Sequence, residues 1–252
     1  MSFEHRVALV TGGSRGIGRA VAGRLAAGGA RVAVNYRHDA TSAEETLRGL
    51  VGRDHFSLPG DVTDPAVVLG LVEAVVDRAG RLDILVNNAG IYAELDVATS
   101  SYEQWQDHVG RMLATNLVGP AHMMWCAARH MMRSGGGRIV NVSSRGAVRG
   151  EPTAPAYAAS KAGLNAMGQS LAQAFGQYGV TVATVAPGFV QTDMTSEILT
   201  GPRGDAIRAQ SPLGRVATAD EVAAAVAYLA SDAAVFATGA VLDLNGASYL
   251  RS

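Results

Sequence analysis

In the second half of the chain, Tyr157-Ala158-Ala159-Ser160-Lys161 opens a strongly helical run that continues Ala162-Gly163-Leu164-Asn165-Ala166-Met167. Side chains four apart on a helix share one face, so Tyr157 and Lys161 stand side by side. A free tyrosine, with a pKa of about 10, is a poor base near neutrality. A neighbouring ammonium favours the phenolate and draws that value down, which makes the phenol a usable acid/base group. Tyrosine and lysine meet at this spacing by chance on many helices, so the pair alone carries little. The strand-like run Arg138-Ile139-Val140-Asn141-Val142 adds to it by delivering Ser143 and Ser144 at its C-terminal end, where open α/β sheets gather ligands. Either hydroxyl can donate to a carbonyl oxygen. A hydroxyl donor, an acid/base and a cation together suit proton transfer at a carbonyl or an alcohol.

A second cluster lies near the start. A strand ending Ala8-Leu9-Val10-Thr11 meets Gly12-Gly13-Ser14-Arg15-Gly16-Ile17-Gly18 and then the helical Arg19-Ala20-Val21-Ala22-Gly23-Arg24-Leu25. Gly12 permits a tight turn, and Gly16 and Gly18 allow backbone to approach a pyrophosphate at the helix N-terminus. The spacing is G-x-x-x-G-x-G rather than G-x-G-x-x-G, and a glycine-rich turn also serves plain βα geometry. Its place after the first strand favours a dinucleotide. The second strand ends about twenty residues on, where an adenosine ribose would lie. There the chain reads Val34-Asn35-Tyr36-Arg37, without the carboxylate that takes ribose hydroxyls. Arg37 and Arg15 can instead clamp a 2′-phosphate, which points to NADP(H) over NAD(H). The alternative is that both are solvated surface arginines.

These groups need a scaffold, and the chain supplies a regular one. Short Val/Ile/Leu-rich runs at 6–11, 31–35, 55–58, 82–87, 138–142, 180–186 and 240–244 alternate with helical patterns, as parallel strands joined by crossover helices do. The expected architecture is α/β: one Rossmann-type, doubly wound parallel sheet of seven strands with helices on both faces. Asp64-Pro65 reads as an N-cap followed by Pro at the first helical position, and Thr218-Ala219-Asp220-Glu221 as a capping box. Ser134-Gly135-Gly136-Gly137 reads as a helix-to-strand turn. No repeat or linker divides residues 1–252, so a single domain is expected. The segment at about 188–215 mixes Phe189, Met194, Ile198 and Leu199 with Gly201, Pro202 and Gly204, and reads as a substrate lid with an apolar lining. Some of those apolar residues can equally pack a helix on the sheet.

Composition narrows the partners. A net charge of −1 with scattered basic residues argues against nucleic acid and anionic membranes. The apolar stretches near the C-terminus are broken by Glu221 and Asp232, too short and charged for a bilayer span. The N-terminal residues lack the pattern of a signal peptide, so a soluble cytoplasmic protein is expected. The six histidines lack zinc-site spacing and no metal is expected; the one cysteine, Cys126, reads as core filler among Met123, Met124 and Trp125.

Over essentially its whole length the chain resembles a short-chain dehydrogenase/reductase. The motifs that carry this stand in order: Thr11-Gly12-Gly13-Ser14-Arg15-Gly16-Ile17-Gly18, Asp61-Val62, Asn87-Asn88-Ala89-Gly90, Asn116, Ser144, Tyr157/Lys161 and Pro187-Gly188. The resemblance implies a catalytic tetrad of Asn116, Ser144, Tyr157 and Lys161, with Ser144 chosen because it precedes the tyrosine by the family's thirteen residues. It implies that Asp61 contacts adenine, that Asn88 and Gly90 line the cofactor channel, and that Val190 and Thr192 hold the nicotinamide carboxamide. Lys161 would also bind the nicotinamide ribose, and Asn116 would hold a water linking Lys161 to solvent. The implied cofactor set is Gly12, Ser14, Arg15, Gly16, Ile17, Gly18, Tyr36, Arg37, Asp61, Val62, Asn88, Ala89, Gly90, Pro187, Gly188, Val190 and Thr192, with Tyr157 and Lys161 shared. The reaction implied is NADP(H)-dependent interconversion of a ketone and a secondary alcohol on a small-molecule substrate.

Within the family the motif set and length are similar to the 3-oxoacyl-[acyl-carrier-protein] reductases. Two departures weigh against a carrier protein. The arginine that carrier-using members place shortly before the sixth strand is replaced by Gln177-Tyr178-Gly179, and Ser134-Gly135-Gly136 fills the basic site before the fifth strand, leaving Arg133 nearby. A broad-specificity or secondary-metabolism ketoreductase or alcohol dehydrogenase is the alternative. A non-catalytic NADP(H) sensor on the same fold is a further one, opposed by retention of all four acid/base residues. Ser101-Tyr102-Glu103-Gln104-Trp105 reaches Asn116 about one turn later than the family's usual spacing, so a longer helix is expected there. Arg149 and Glu151 either touch substrate or face solvent. The family implies a homotetramer or homodimer, for which Met123, Met124, Trp125 and Met131 offer apolar surface, as core or as interface.

Overall fold

The computed structural model describes residues 1–251. In chain order the elements are β1 (Val7–Val10), α1 (Gly16–Ala27), β2 (Arg31–Tyr36), α2 (Ala40–Gly49), β3 (Phe56–Pro59), α3 (Pro65–Ala79), β4 (Ile84–Asn87), α4 (Tyr102–Leu113), α5 (Gly119–Arg133), β5 (Gly137–Val142), α6 (Gly146–Arg149), α7 (Pro155–Phe175), β6 (Val180–Pro187), β7 (Val190–Gln191), α8 (Asp193–Thr200), α9 (Gly204–Arg208), β8 (Ala217–Thr218), α10 (Ala219–Leu229) and β9 (Val241–Leu244). Seven strands form one parallel sheet in the order β3-β2-β1-β4-β5-β6-β9, each near the position expected from the apolar runs. The chain winds outward from β1 to β3, then returns to set β4 beside β1 and winds outward the other way. The strand order therefore reverses between β1 and β4, and a crevice opens above their carboxyl ends.

Alternation along the strands splits the core in two. Ala8 and Val10 of β1, with Val34 and Val86, pack under Val21 and Leu25 of α1 and Val222 and Val226 of α10. Val7 and Leu9, with Leu85, Ile139 and Val182, pack under Leu71 and Val75 of α3, Met123 and Met124 of α5 and Leu164 of α7. Each such side chain, fully withdrawn from water, contributes about 1.5–3 kcal/mol. Met123, Met124 and Met131 are fully buried, which assigns them to this core, whereas Trp125 on the same helix is exposed.

Both expected caps are present. The Asp64 carboxylate accepts from Ala66 N at the start of α3, which then stops at Gly80 in the left-handed conformation (φ +77°). Thr218 and Glu221 bond reciprocally at the start of α10. The longer helix ahead of Asn116 is present as well, in a particular form: α4 runs into a π-helical turn over Ala114–Val118 and continues as α5. A π turn takes up extra residues without breaking the helix, and Asn116 sits inside it. The paired two-residue strands β7 and β8 were not among the seven expected, because two residues carry no periodicity. They join the two ends of the excursion that carries α8 and α9.

Candidate active site

A cleft of about 400 Å³ runs along the carboxyl ends of the sheet. At one end the turn after β1 holds Gly12 (φ +58°) and Gly16 (φ +52°) in the left-handed region that favours glycine. Thr11 Oγ1 accepts from the Asn88 and Ala89 amides at 3.0 and 3.1 Å, while Asn88 Nδ2 donates to the Thr11 and Gly12 carbonyls at 3.0 and 2.9 Å. The ends of β1 and β4 are thereby stapled on either side of the crevice. A Cβ at Gly18 would press on the Gly12 carbonyl and lie 2.6 Å from Asn88 Nδ2. Gly18 is thus the close-packing glycine beneath the turn and does not line the cleft. All the other expected cofactor residues do: Gly12, Ser14, Arg15, Gly16, Ile17, Tyr36, Arg37, Asp61, Val62, Asn88, Ala89, Gly90, Pro187, Gly188, Val190, Thr192, Tyr157 and Lys161.

Beyond the turn, Arg15 and Arg37 are both exposed at the cleft. Arg37 Nη1 lies 3.5 Å from Asp61 Oδ2. Burial pushes the Asp61 carboxyl upward, but hydrogen bonds from Thr63 and the charge of Arg37 outweigh it and leave the group below the usual carboxylate value. A helix N-terminus and a glycine cradle followed by two exposed guanidinium groups fit a dinucleotide with an added phosphate.

At the other end α7 presents Tyr157 and Lys161 to the cleft. Lys161 is buried, and its ammonium donates to the Val142 carbonyl at 2.8 Å. Burial pulls its pKa down to about 8. Burial raises the Tyr157 phenol; a hydrogen bond with Ser144 opposes this rise and the Glu151 carboxylate adds to it. The expected lowering by Lys161 is absent from these influences. Its Nζ stands 5.9 Å from the Tyr157 ring centroid and is directed to Val142 O, so desolvation decides. The two serines separate cleanly. Ser143 is buried and donates to Lys161 O at 3.3 Å, whereas Ser144 Oγ accepts from Gly146 N at 3.0 Å, which leaves its proton for another acceptor.

Asn116 stands one layer behind. It is fully buried, its Oδ1 accepting from Ile91 N and its Nδ2 donating to Ile91 O, both at 2.9 Å, with Ser160 Oγ at 3.3 Å. A Cβ at Gly90 would lie 3.2 Å from Asn116 Oδ1 and 3.5 Å from Lys161 Nζ, so this glycine keeps the two side chains facing across an open space.

Several neighbours carried no signal in the sequence. Tyr92 meets the Tyr157 ring edge-to-face at 5.1 Å, and burial pushes its own phenol up to about 12. Arg145, nearly fully buried, stacks over Phe189 at 5.4 Å and donates to Ser248 at 2.6 Å. Of the apolar residues in the 188–215 segment Phe189, Met194 and Ile198 line the cleft; Leu199 is buried instead. Arg203 between α8 and α9 pairs with Glu94 at 3.1 Å, linking this segment to the loop after β4. Arg149 is exposed and off the cleft, but Glu151 lines it. Cys126 is a free, partly buried thiol on the far side of α5. Among the described residues no helix is long and apolar enough to cross a membrane, and no group of three acidic, His or Cys side chains is placed to hold a metal ion.

Comparison with known proteins agrees with this geometry. A family model described as Enoyl-(Acyl carrier protein) reductase matches residues 12–246. The 3-oxoacyl-[acyl-carrier-protein] reductase FabG of Escherichia coli (strain K12) is 40% identical over 250 residues, covering 99% of this chain and all of that protein. The FabG of Staphylococcus aureus (strain Mu50 / ATCC 700699) is 38% identical over 245 residues, 96% of this chain and 98% of that one. Among solved structures, a short chain dehydrogenase from Burkholderia cenocepacia J2315 in complex with NADP superposes with a TM-score of 0.91 at 36% identity, covering 98% of this chain and 99% of that one. With identity of this order along the whole chain, a shared overall fold and the glycine turn facing Tyr157 and Lys161 across one cleft, the chain belongs to the short-chain dehydrogenase/reductase family.

Proposed function

We propose that the protein is an NADPH-dependent ketoreductase that reduces 3-oxoacyl thioesters to 3-hydroxyacyl thioesters, with Tyr157 as the proton donor. The observation that carries this reading is the Ser144–Tyr157 pair at the far end of the cleft from the glycine turn: one hydroxyl within hydrogen-bond reach of the phenol, and one phenol that burial keeps protonated. The similarity to 3-oxoacyl-[acyl-carrier-protein] reductases along the whole chain supports the substrate class. Arg37 and Arg15 at the adenosine end, together with the absence of an acidic residue at the end of β2, support NADPH over NADH.

When bound, the nicotinamide supplies the hydride. Ser144 Oγ, held in place by Gly146 N, donates its proton to the substrate carbonyl oxygen. Tyr157 then hands its proton to that oxygen as negative charge develops there. Burial keeps the Tyr157 phenol protonated at neutral pH, which is the form the reducing direction requires. Lys161, with a pKa of about 8, is mostly an ammonium at neutral pH and restores the phenol's proton from the Asn116 side. Asn116 holds the loop carrying Ile91 in place and turns Oδ1 toward Lys161 past Gly90. The same reading goes with a cytoplasmic homodimer or homotetramer, with the exposed Trp125 of α5 and Met167 of α7 as contact surface.

One observation favours a substrate free of a carrier protein. At the amino ends of β5 and β6, where the sequence departs from carrier-using members, Gly136 packs on Gly179, Tyr178 is exposed beside it, and the Arg138 guanidinium is engaged by Asp232 at 3.0 Å. An acidic carrier finds little unpaired positive charge there. The test is NADPH and NADH oxidation with 3-oxoacyl thioesters, free ketones, sugars and steroids. Fastest turnover of a 3-oxoacyl thioester with NADPH is expected. Consumption of neither cofactor with any carbonyl would remove the reading.

A further inference from the structure

The loop between α6 and α7 places a glutamate where the reaction as derived needs none. Glu151 lines the cleft, and among the described residues its carboxylate has no hydrogen-bond or ion-pair partner. Glu151 Oε1 and Ser144 Oγ flank one point above Gly146, at 3.1 and 3.4 Å. A Cβ at Gly146 would also press on Glu151 Cγ at 3.0 Å, so the glycine allows the glutamate to lie against the serine. Its charge reaches the Tyr157 phenol and the Tyr92 phenol. Of the cations of the same loop, Arg149 is turned to solvent, and Arg145, held by Phe189 and Ser248, feels the Glu151 charge without forming an ion pair with it.

We propose that Glu151 is a specificity-determining residue that turns away a carboxylate beside the reacting carbonyl, so that the site takes neutral 3-oxo esters and thioesters and refuses free 3-oxo acids. The inference rests on the ketoreductase reading above. A ketone bound to Ser144 and Tyr157 has its next substituents only a small group's length from Glu151. A thioester or ester there is uncharged and meets no repulsion. A free acid sets a second carboxylate beside the first in a partly desolvated cleft, where two like charges about 6 Å apart lower binding by about ten- to a hundredfold.

The test uses one ketone in two charge states, ethyl acetoacetate and acetoacetate, with NADPH oxidation followed for the native protein and for Glu151→Gln. The native protein is expected to favour the ester over the acid in kcat/KM by about tenfold or more, and the glutamine variant to raise acid turnover so that the ratio falls by about tenfold or more. Damage to the fold lowers both substrates together, so a gain on the acid reports charge alone. A native protein that reduces both equally, or a ratio unmoved by Glu151→Gln, would overturn the inference while leaving the ketoreductase reading standing. No NADPH consumption with the esters or with 3-oxoacyl thioesters would overturn both. Should the variant not fold, the native protein still decides: added salt must narrow its ester-to-acid ratio by screening, and a ratio indifferent to salt overturns the proposal.

Discussion

Replacing Lys161 by Met should stabilise the cofactor-free protein at pH 7 while abolishing its turnover. Burial carries the Lys161 ammonium from the ordinary 10.5 to about 8, a penalty of about 3 kcal/mol on the folded state wherever the amine is charged. Met fills similar volume without charge, but it leaves Val142 O without its 2.8 Å donor, at a cost of about 1–2 kcal/mol. The net gain at pH 7 is about 1–2 kcal/mol, an upward shift in Tm of about 4 °C for a chain of this size. The sign reverses with pH. Between about 8 and 10.5 the folded lysine has lost its proton and the unfolded one has kept it, so the unfolded state binds more protons and the native protein gains stability as pH rises. By pH 10 the native penalty is nearly gone, the missing hydrogen bond is all that separates the two proteins, and the variant melts lower. Thermal unfolding of both cofactor-free proteins at pH 7 and pH 10 checks this. A variant less stable at pH 7, or a Tm difference identical at the two pH values, would refute the desolvation argument.

Arg37→Ala should lower kcat/KM for NADPH by about ten- to a hundredfold and change that for NADH by no more than about threefold, because the guanidinium loses a charge-assisted bond to phosphate. Its exposed pair with Asp61 is worth under about 1 kcal/mol, so an unchanged Tm should accompany the kinetic loss. Gly18→Ala forces a methyl against the Gly12 carbonyl and Asn88 Nδ2, which should cost about 1–3 kcal/mol in calorimetry and weaken NADPH binding with it.

The scaffold was legible because parallel strands buried on both faces leave short Val-rich runs, such as Val7–Val10 and Val180–Pro187, that alternate with helical patterns along the chain. The glycine turn and the four-residue spacing of Tyr157 and Lys161 were legible for a similar reason: both depend on local geometry. What escaped the sequence depends on depth and direction. Adjacency on α7 predicted that Lys161 would lower the phenol, but the ammonium is aimed at Val142 O and burial governs both groups. Asn116 was expected to link Lys161 to solvent, but its clamp on Ile91 was not legible, because the π turn that aims it has no sequence signature. Leu199 and Ile198 are apolar neighbours on α8, and only packing separates the one facing inward from the one facing the cleft. Glu151 in a polar loop looks like solvent-facing charge until Gly146 brings it against Ser144.

The central claim is that Tyr157 gives its proton to the substrate oxygen, and Tyr157→Phe tests it most directly. Steady-state NADPH oxidation with a 3-oxoacyl thioester, paired with NADPH binding by fluorescence, separates chemistry from cofactor affinity. The account predicts a fall in kcat of at least about a hundredfold with NADPH binding within a few-fold of the native protein. Turnover within tenfold of the native rate would contradict it.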